Sequence, residues 1–119
     1  MTDQATPAAG TLYRQGDVLL RRVDGTPAPL VPVAREEGRI VLAHGETTGH
    51  AHAIDAPEDE ATFLSAADNR RFLTLMADVD LRHEEHVAIR VPAGTYEVIR
   101  QREWTDAEGD EERWRDAGD

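Results

Sequence analysis

The apolar residues of this chain fall into short runs between glycine and proline turns, and this spacing limits the fold more than any other feature. Residues 38–44 (GRIVLAH) form an apolar, β-branched run bounded by glycines, which is typical of a buried strand. Residues 71–77 (RFLTLMA) favour a strand buried on both faces over a helix of two turns, because no capping residue or helix-length pattern extends the run. Residues 26–33 contain three prolines and are expected at a sheet edge or in a loop. The pattern predicts an all-β domain, either a small antiparallel barrel or a jelly-roll-like sandwich, with flexible termini.

The connections between the strands are predicted from the turn residues. Residues 12–23 are interpreted as the first strand, arranged around a Gly16-Asp17 turn. Residues 83–91 (HEEHVAIRV) are interpreted as one strand, and Pro92-Ala93-Gly94 as the turn that returns the chain into a strand over residues 95–104. These last two strands are expected to pair with each other as a hairpin.

The length of the chain, 119 residues, suits one domain with a substantial core. Residues 1–11 are small and polar and are expected to form a flexible arm. Residues 12–104 are predicted as the single β domain. Residues 105–119 are strongly acidic, and we expect this tail either to fray or to add an edge strand.

The charge and the cysteine count exclude several classes of function. With 24 acidic and 13 basic residues the formal net charge is −11, which makes binding to nucleic acid or to an anionic membrane unfavourable. There is no cysteine, so thiolate ligands, thiol nucleophiles and disulfides are absent. The N-terminal sequence has no basic and apolar signal pattern and no apolar run is long enough to span a bilayer, so a cytoplasmic location is expected.

All five histidines fall into two short windows, HGETTGHAH (residues 44–52) and HEEH (residues 83–86), and each window also carries carboxylates. Neutral imidazole is the commonest protein ligand of transition metals, so we predict a metal site assembled from both windows. The strand period of two places His50 and His52 on one face, whereas an ideal strand would point His83 and His86 in opposite directions unless a bulge re-aims one of them. The candidate ligands are His44, His50, His52, His83 and His86.

The predicted site is compatible with more than one function. The ligand set suits Zn, Fe, Mn or Ni as a divalent ion. In a non-catalytic metal-binding protein the ion stabilises the fold or serves a partner, whereas in an enzyme Glu46 or Glu85 would act as general base on a metal-bound water. A third reading is a histidine-based interaction module without metal. A small-molecule or protein partner is expected, and a sheet edge could form a homodimer contact with Trp104 as its anchor.

Part of the chain resembles the metal signature of the cupins, which are small β-barrels. His50-x-His52, followed later by the Pro92-Ala93-Gly94 turn, is similar to the His-x-His and Pro-x-Gly elements of that family. The resemblance implies that His50 and His52 are metal ligands. The sequence departs from the pattern at the family's glutamate position, which falls near Pro57, and at its last histidine position, which holds Glu97.

A longer stretch resembles a group of small uncharacterised bacterial and phage proteins. The resemblance runs from YRQGDVLL through GETTGHAHAI and HEEH to PAGTYEVIRQREW and covers most of the chain. It implies no known activity.

Overall fold

The computed structural model describes residues 6–45 and 49–101. The regular structure of these residues consists of ten strands, which confirms the predicted all-β class. The strands are β1 (Leu12–Gln15), β2 (Val18–Arg22), β3 (Leu30–Pro32), β4 (Ile40–His44), β5 (Ala51–Ile54), β6 (Ala61–Ala66), β7 (Arg71–Leu75), β8 (Val79–His83), β9 (His86–Val91) and β10 (Gly94–Arg100). Within the same described ranges, no helix has the length and apolar character needed to cross a membrane.

The strands form two antiparallel sheets that enclose the hydrophobic core. One sheet has six strands in the order β1-β2-β10-β7-β6-β3, and the other has four in the order β4-β5-β8-β9. The proline-rich segment supplies β3 at the edge of the larger sheet, as expected for a strand that lacks backbone donors. The core takes Leu20, Leu73 and Tyr96 from the larger sheet, and Ile54 and Leu81 from the smaller one. Apolar side chains on the two inner faces therefore hold the sheets together.

Residues 12–23, predicted as one strand region around a turn, form two strands. Gln15 pairs with Val18, so β1 and β2 are joined by the two-residue turn Gly16-Asp17. Gly16 has φ +60°, which suits the first central position of a tight hairpin turn, where a positive φ is required. The turn thus ends the first strand and projects from one end of the six-stranded sheet.

The interpretation of residues 83–91 as one strand is wrong. His83 ends β8 and His86 begins β9, and these two histidines are opposite each other across a two-residue turn formed by Glu84 and Glu85. A register shift lies next to the turn: between the pairs Leu81–Ile89 and His83–His86, β8 has one residue and β9 has two. Turn and bulge together orient both imidazoles as a cross-strand pair, so the opposite directions expected for an ideal single strand do not arise.

The predicted hairpin between residues 83–91 and 95–104 is also wrong. β9 lies at the edge of the four-stranded sheet, whereas β10 lies in the six-stranded sheet between β2 and β7. The Pro92-Ala93 segment carries the chain from one sheet to the other. A Pro-x-Gly sequence predicts a change of chain direction, but it does not predict which strand the next one pairs with. β10 pairs with β2 and β7, and in that position Tyr96 and Val98 enter the core.

Some sequence predictions fall partly or wholly outside the described residues. The end of the predicted N-terminal arm is described, and there the Gly10 amide donates to the Arg22 carbonyl at 2.7 Å, so this end of the arm contacts β2. Residues 1–5, Glu46, Trp104 and the tail at 105–119 lie outside the described residues.

Candidate metal centre

Three imidazole side chains lie in a row across neighbouring strands of the four-stranded sheet. The β5–β8 register pairs Ala53 with Arg82, and His52 and His83 are the next residues on the two strands. His83 is in turn opposite His86. The ring centroid of His83 lies 4.3 Å from that of His52 and 4.7 Å from that of His86. One ring nitrogen from each residue lies within 4.8 Å of the other two, and we call this group the His triad.

Gln15 on β1 determines which nitrogen of His52 carries the ring proton. The Gln15 side-chain nitrogen donates to the carbonyl oxygens of Leu81 at 2.9 Å and Val87 at 3.0 Å. Its Oε1 atom therefore accepts, and it lies 2.9 Å from His52 Nδ1. Nδ1 must then be the donor, so Nε2 of the neutral ring keeps the lone pair that a metal ion needs.

The environment of the triad keeps two of its rings neutral. His52 is only 2% exposed, and burial, followed by the nearby His83, lowers the pKa of His52 from 6.5 to about 4. Burial, followed by the neighbouring His86, also lowers the pKa of His83. Because metal ions bind the neutral form of imidazole, these two rings do not have to lose a proton to bind a metal at neutral pH.

The turn between β8 and β9 is attached to the start of β5 through both of its glutamates. Glu84 Oε1 accepts from the Ala51 amide at 2.9 Å, and the amides of Ala51 and of Glu84 itself lower the pKa of this carboxyl. His50 Nδ1 donates to Glu85 Oε2 at 2.5 Å. These contacts align the two histidine windows, which are more than thirty residues apart in sequence.

His83 is hydrogen-bonded differently from His52. The Glu85 amide donates to His83 Nδ1 at 3.0 Å, so the neutral ring carries its proton on Nε2. A metal ion bound to Nδ1 would displace the Glu85 amide. A metal ion bound to Nε2 would move the ring proton to Nδ1, where it would face the proton of the same amide. In this ring orientation, binding through either nitrogen therefore breaks this hydrogen bond.

Two glycines form close backbone surfaces beside the imidazoles. A Cβ atom placed on Gly16 would lie 2.8 Å from His86 Nε2 and 3.2 Å from His52 Cε1. A Cβ atom on Gly45 would lie 3.1 Å from His83 Nε2. A side chain at Gly16 would push the His86 ring aside and would also be strained by the positive φ of +60°, whereas one at Gly45 would need only a small shift of the His83 ring.

The Gly16-Asp17 turn also brings a carboxylate to the buried end of the triad. Asp17 Oδ1 lies 3.5 Å from His52 Nε2. Arg100 Nε donates to the other oxygen, Asp17 Oδ2, at 3.2 Å, and Arg100 Nη2 donates to the His44 carbonyl at 2.7 Å. The Gln101 amide donates to the Asp17 carbonyl at 2.8 Å. The end of β10 therefore holds this turn in place against the four-stranded sheet.

The structure brings together three of the five predicted ligands, namely His52, His83 and His86. His50 lies next to the triad, with its ring centroid 6.0 Å from that of His83, and its Nδ1 is bonded to Glu85. His44 is exposed and its Nε2 lies 3.1 Å from a Glu36 oxygen, so it is not part of the group. Of the two candidate bases, Glu85 contacts the site through His50, and Glu46 lies outside the described residues.

Sequence reasoning missed three residues that contact the triad, Gln15, Gly16 and Asp17. One signal for Gln15 was available in the sequence, namely its position two residues after Tyr13 on a strand, which places both side chains on one face; in the structure Gln15 is 3% exposed. A glutamine at a core-facing position needs buried hydrogen-bond partners, and such a residue commonly supports another polar group. Nothing in the sequence indicated that the turn after it would reach the histidines of the other sheet.

The Pro-x-Gly turn, which the cupin resemblance associated with the metal, does not supply a triad member. Three residues after Gly94, Glu97 lies 2.6 Å from Arg21 Nη2 and 3.0 Å from Arg70 Nε. These ion pairs, with the Arg70 hydrogen bond first, lower the pKa of Glu97. The second and third histidines of the triad come instead from the β8–β9 hairpin.

The fold and the site define a class of protein, an antiparallel all-β domain of two sheets with three clustered histidines on the smaller sheet. The chain belongs to a family of domains of unknown function, DUF8820, whose family model matches residues 14–101. The matched span contains Gln15, Asp17 and all three histidines of the triad, and it agrees with the expected membership of an uncharacterised family. No curated protein and no solved structure matches the chain.

Proposed function

We propose that this chain is a metal-binding domain in which His52, His83 and His86 hold one divalent transition-metal ion. The observation that carries the proposal is the placement of one ring nitrogen from each histidine within 4.8 Å of the others, on three adjacent strands. The Gln15 contact to His52 supports it, because metal-binding histidines usually donate their second nitrogen to a fixed acceptor.

The ligand chemistry narrows the choice of metal. The chain contains no cysteine, so soft thiolate coordination is excluded, and imidazole nitrogen suits zinc, iron, manganese or nickel as divalent ions. Burial decreases along the row, from the buried His52 to the exposed His86. A metal ion would therefore enter from the side of His86.

The test is metal content by elemental mass spectrometry of the untagged protein, followed by titration of the metal-free protein with Zn(II), Fe(II), Mn(II) and Ni(II). His86→Ala removes an exposed ligand and should weaken binding by at least about tenfold, because even residues that only orient a ligand have effects of this size. His44→Ala removes an exposed histidine outside the triad and should bind as the wild type does.

Two results would contradict the proposal. Equal affinities for the His86→Ala and His44→Ala proteins would place the metal elsewhere. If the wild type binds none of the four ions, the remaining reading is an interaction module that uses its histidines without metal.

A metal-dependent enzyme of the cupin type is the second candidate, and the contact between His50 and Glu85 favours it. Because Nδ1 of His50 donates to the Glu85 carboxylate at 2.5 Å, Nε2 of the neutral ring carries the lone pair, and His50 lies beside His83. Such a group could accept a proton from a metal-bound water. Metal-dependent hydrolysis of 4-nitrophenyl acetate that is lost in His50→Ala, at unchanged metal content, would support this candidate. Absence of metal-dependent hydrolysis in the wild type would contradict it for this substrate class.

A further inference from the structure

Four apolar side chains of the six-stranded sheet point away from the core. Leu19 and Ile99 are opposite each other on β2 and β10, and Leu64 and Phe72 are opposite each other on β6 and β7. Leu73, the neighbour of Phe72 along β7, belongs to the core, so the strand period of two directs Phe72 to the outward face. The same alternation holds for the other three residues, and we call the four together the outer apolar patch.

The patch is less exposed than the outward face of a sheet with nothing over it. Phe72 is 0% exposed, and Glu97, its cross-strand partner, is 9% exposed. The four-stranded sheet packs against the inner face of the six-stranded sheet and cannot bury either residue. The Arg70 guanidinium lies 5.2 Å from the centre of the Phe72 ring, but Arg70 itself is 45% exposed. The burial of Phe72 therefore indicates that a further segment lies over this face.

The chain leaves the six-stranded sheet on the same face. Gln101 follows Ile99 by two residues, so it continues the outward-facing positions of β10. Its side-chain oxygen accepts from Arg14 Nη2, and Arg14 is opposite Leu19 on the neighbouring strand. Gln101 is also buried, at 7% exposed. Residues 102–119 therefore begin beside the outer apolar patch.

The composition of residues 102–119 complements this face. The segment holds both tryptophans of the chain, Trp104 and Trp114, and it has eight acidic and three basic residues. The arginines that border the patch are Arg14, Arg21 and Arg70. Large aromatic side chains bury much apolar area, and carboxylates form strong hydrogen bonds with guanidinium groups. The segment thus offers apolar cover for the patch and opposite charge for its border.

The segment is also long enough to cover the patch. The patch crosses four adjacent strands, β2, β10, β7 and β6, which together span about 14 Å. The eighteen residues of the segment extend over about 27 Å as a helix, and further as an extended chain.

We propose that residues 102–119 dock on the outer apolar patch, with their tryptophans against Phe72 and its apolar neighbours and their acidic side chains towards the bordering arginines. The docked segment closes the side of the six-stranded sheet that the four-stranded sheet leaves uncovered. This interaction surface goes beyond the proposed metal site, and its tests use the metal-free protein.

The first experiment is tryptophan fluorescence, which reports on this segment alone because positions 104 and 114 hold the only tryptophans of the chain. In the wild type we expect the indole rings to be protected from acrylamide, a neutral quencher, relative to the urea-unfolded chain. Ile99→Glu places a carboxylate in the patch, where it repels apolar and acidic side chains alike. The quenching constant of this folded variant should rise towards that of the unfolded chain.

The matched control is Val31→Glu. It makes the same change of charge at another β-branched strand residue of the same sheet, but Val31 is 61% exposed. Its tryptophans should stay as protected as those of the wild type. Far-ultraviolet circular dichroism establishes that both variants are folded.

A second measurement needs no variant. In the nuclear Overhauser spectrum of the wild type we expect cross-peaks from indole protons to the Phe72 ring or to methyl groups of Leu19, Leu64 or Ile99. A sample that mixes isotope-labelled and unlabelled chains separates contacts within one chain from contacts between two copies.

Each outcome supports or overturns the docked segment. Tryptophans that are protected in the wild type and exposed by Ile99→Glu, with cross-peaks within one chain, support it. Tryptophans that are quenched in the wild type as in the unfolded chain would overturn it. So would protection that neither variant changes, without cross-peaks to the patch. Cross-peaks that arise only between two copies would mean that a second chain occupies the patch instead. If Ile99→Glu does not fold, the cross-peaks decide alone.

Discussion

Acidification should destabilise the metal-free protein through His52. In the folded chain burial, followed by the nearby His83, holds the pKa of His52 at about 4, whereas its ordinary value is 6.5. Because the folded pKa is the lower one, the unfolded chain binds more protons than the folded chain between these two values. Stability is therefore complete above about pH 6.5 and is lost as the pH falls towards 4.

The size of the effect follows from the two pKa values. Linkage gives a loss of about 2 kcal/mol in the free energy of unfolding between pH 7 and pH 5, and about 3 kcal/mol by pH 4. His52 is almost fully buried, so solvent screening does not reduce this figure much. The interval from pH 7 to pH 5 is the most informative, because ordinary carboxyl groups remain largely ionised there.

The assay is urea unfolding of the metal-free protein, followed by far-ultraviolet circular dichroism at pH 7, 6 and 5. His52→Gln removes the titrating ring and serves as the reference, so that other titrating groups cancel in the comparison. The wild type should lose about 2 kcal/mol more than this variant between pH 7 and pH 5. Equal losses in the two proteins would refute the argument that a buried, neutral His52 opposes acid conditions.

Two further predictions concern the residues that surround the triad. Gly16→Ala and Gly38→Ala both place a side chain at a positive φ, +60° and +82°, and both should lose about 1–2 kcal/mol of stability in urea unfolding. Titration should show weaker metal binding for Gly16→Ala and unchanged binding for Gly38→Ala. The reason is steric, because the new Cβ at Gly16 would lie 2.8 Å from His86 Nε2, whereas nothing lies within 4 Å at Gly38. Equal metal affinities of the two variants would contradict this argument. Gln15→Met should lower metal affinity by about 10–100-fold at unchanged stoichiometry, because the acceptor that holds the proton of His52 on Nδ1 is lost. An affinity equal to that of the wild type would show that Gln15 does not set the tautomer.

The strand content could be predicted because alternation of apolar and polar residues is a local property. Residues 50–54 illustrate this: the predicted separation of His52 from Ala51 and Ala53 is confirmed, since the two alanines pack together with Val41 on the other face. The run at 38–44 likewise contains the strand that its composition favours, at Ile40–His44, and the first four residues of that strand are buried.

The pairing of strands could not be predicted in the same way. Residues 83–91 keep their alternation whether they form one strand or a turn followed by a strand, and only the contact of β8 with β5 decides between them. The strand after Pro92 has an apolar face in either sheet. This strand, β10, lies between β2 and β7 because Tyr96 is fully buried there. The residues that bury Tyr96 are distant from it in sequence.

The sequence by itself determined that the chain forms short antiparallel strands, that thiolate chemistry is absent, and that the histidines are confined to two windows. The tertiary structure alone decided which histidines meet, and it added Gln15 and Asp17 from the opposite sheet. The physical reason is that a residue pattern specifies the face of a strand on which a side chain lies, whereas the neighbour of that strand depends on burial summed over the whole core.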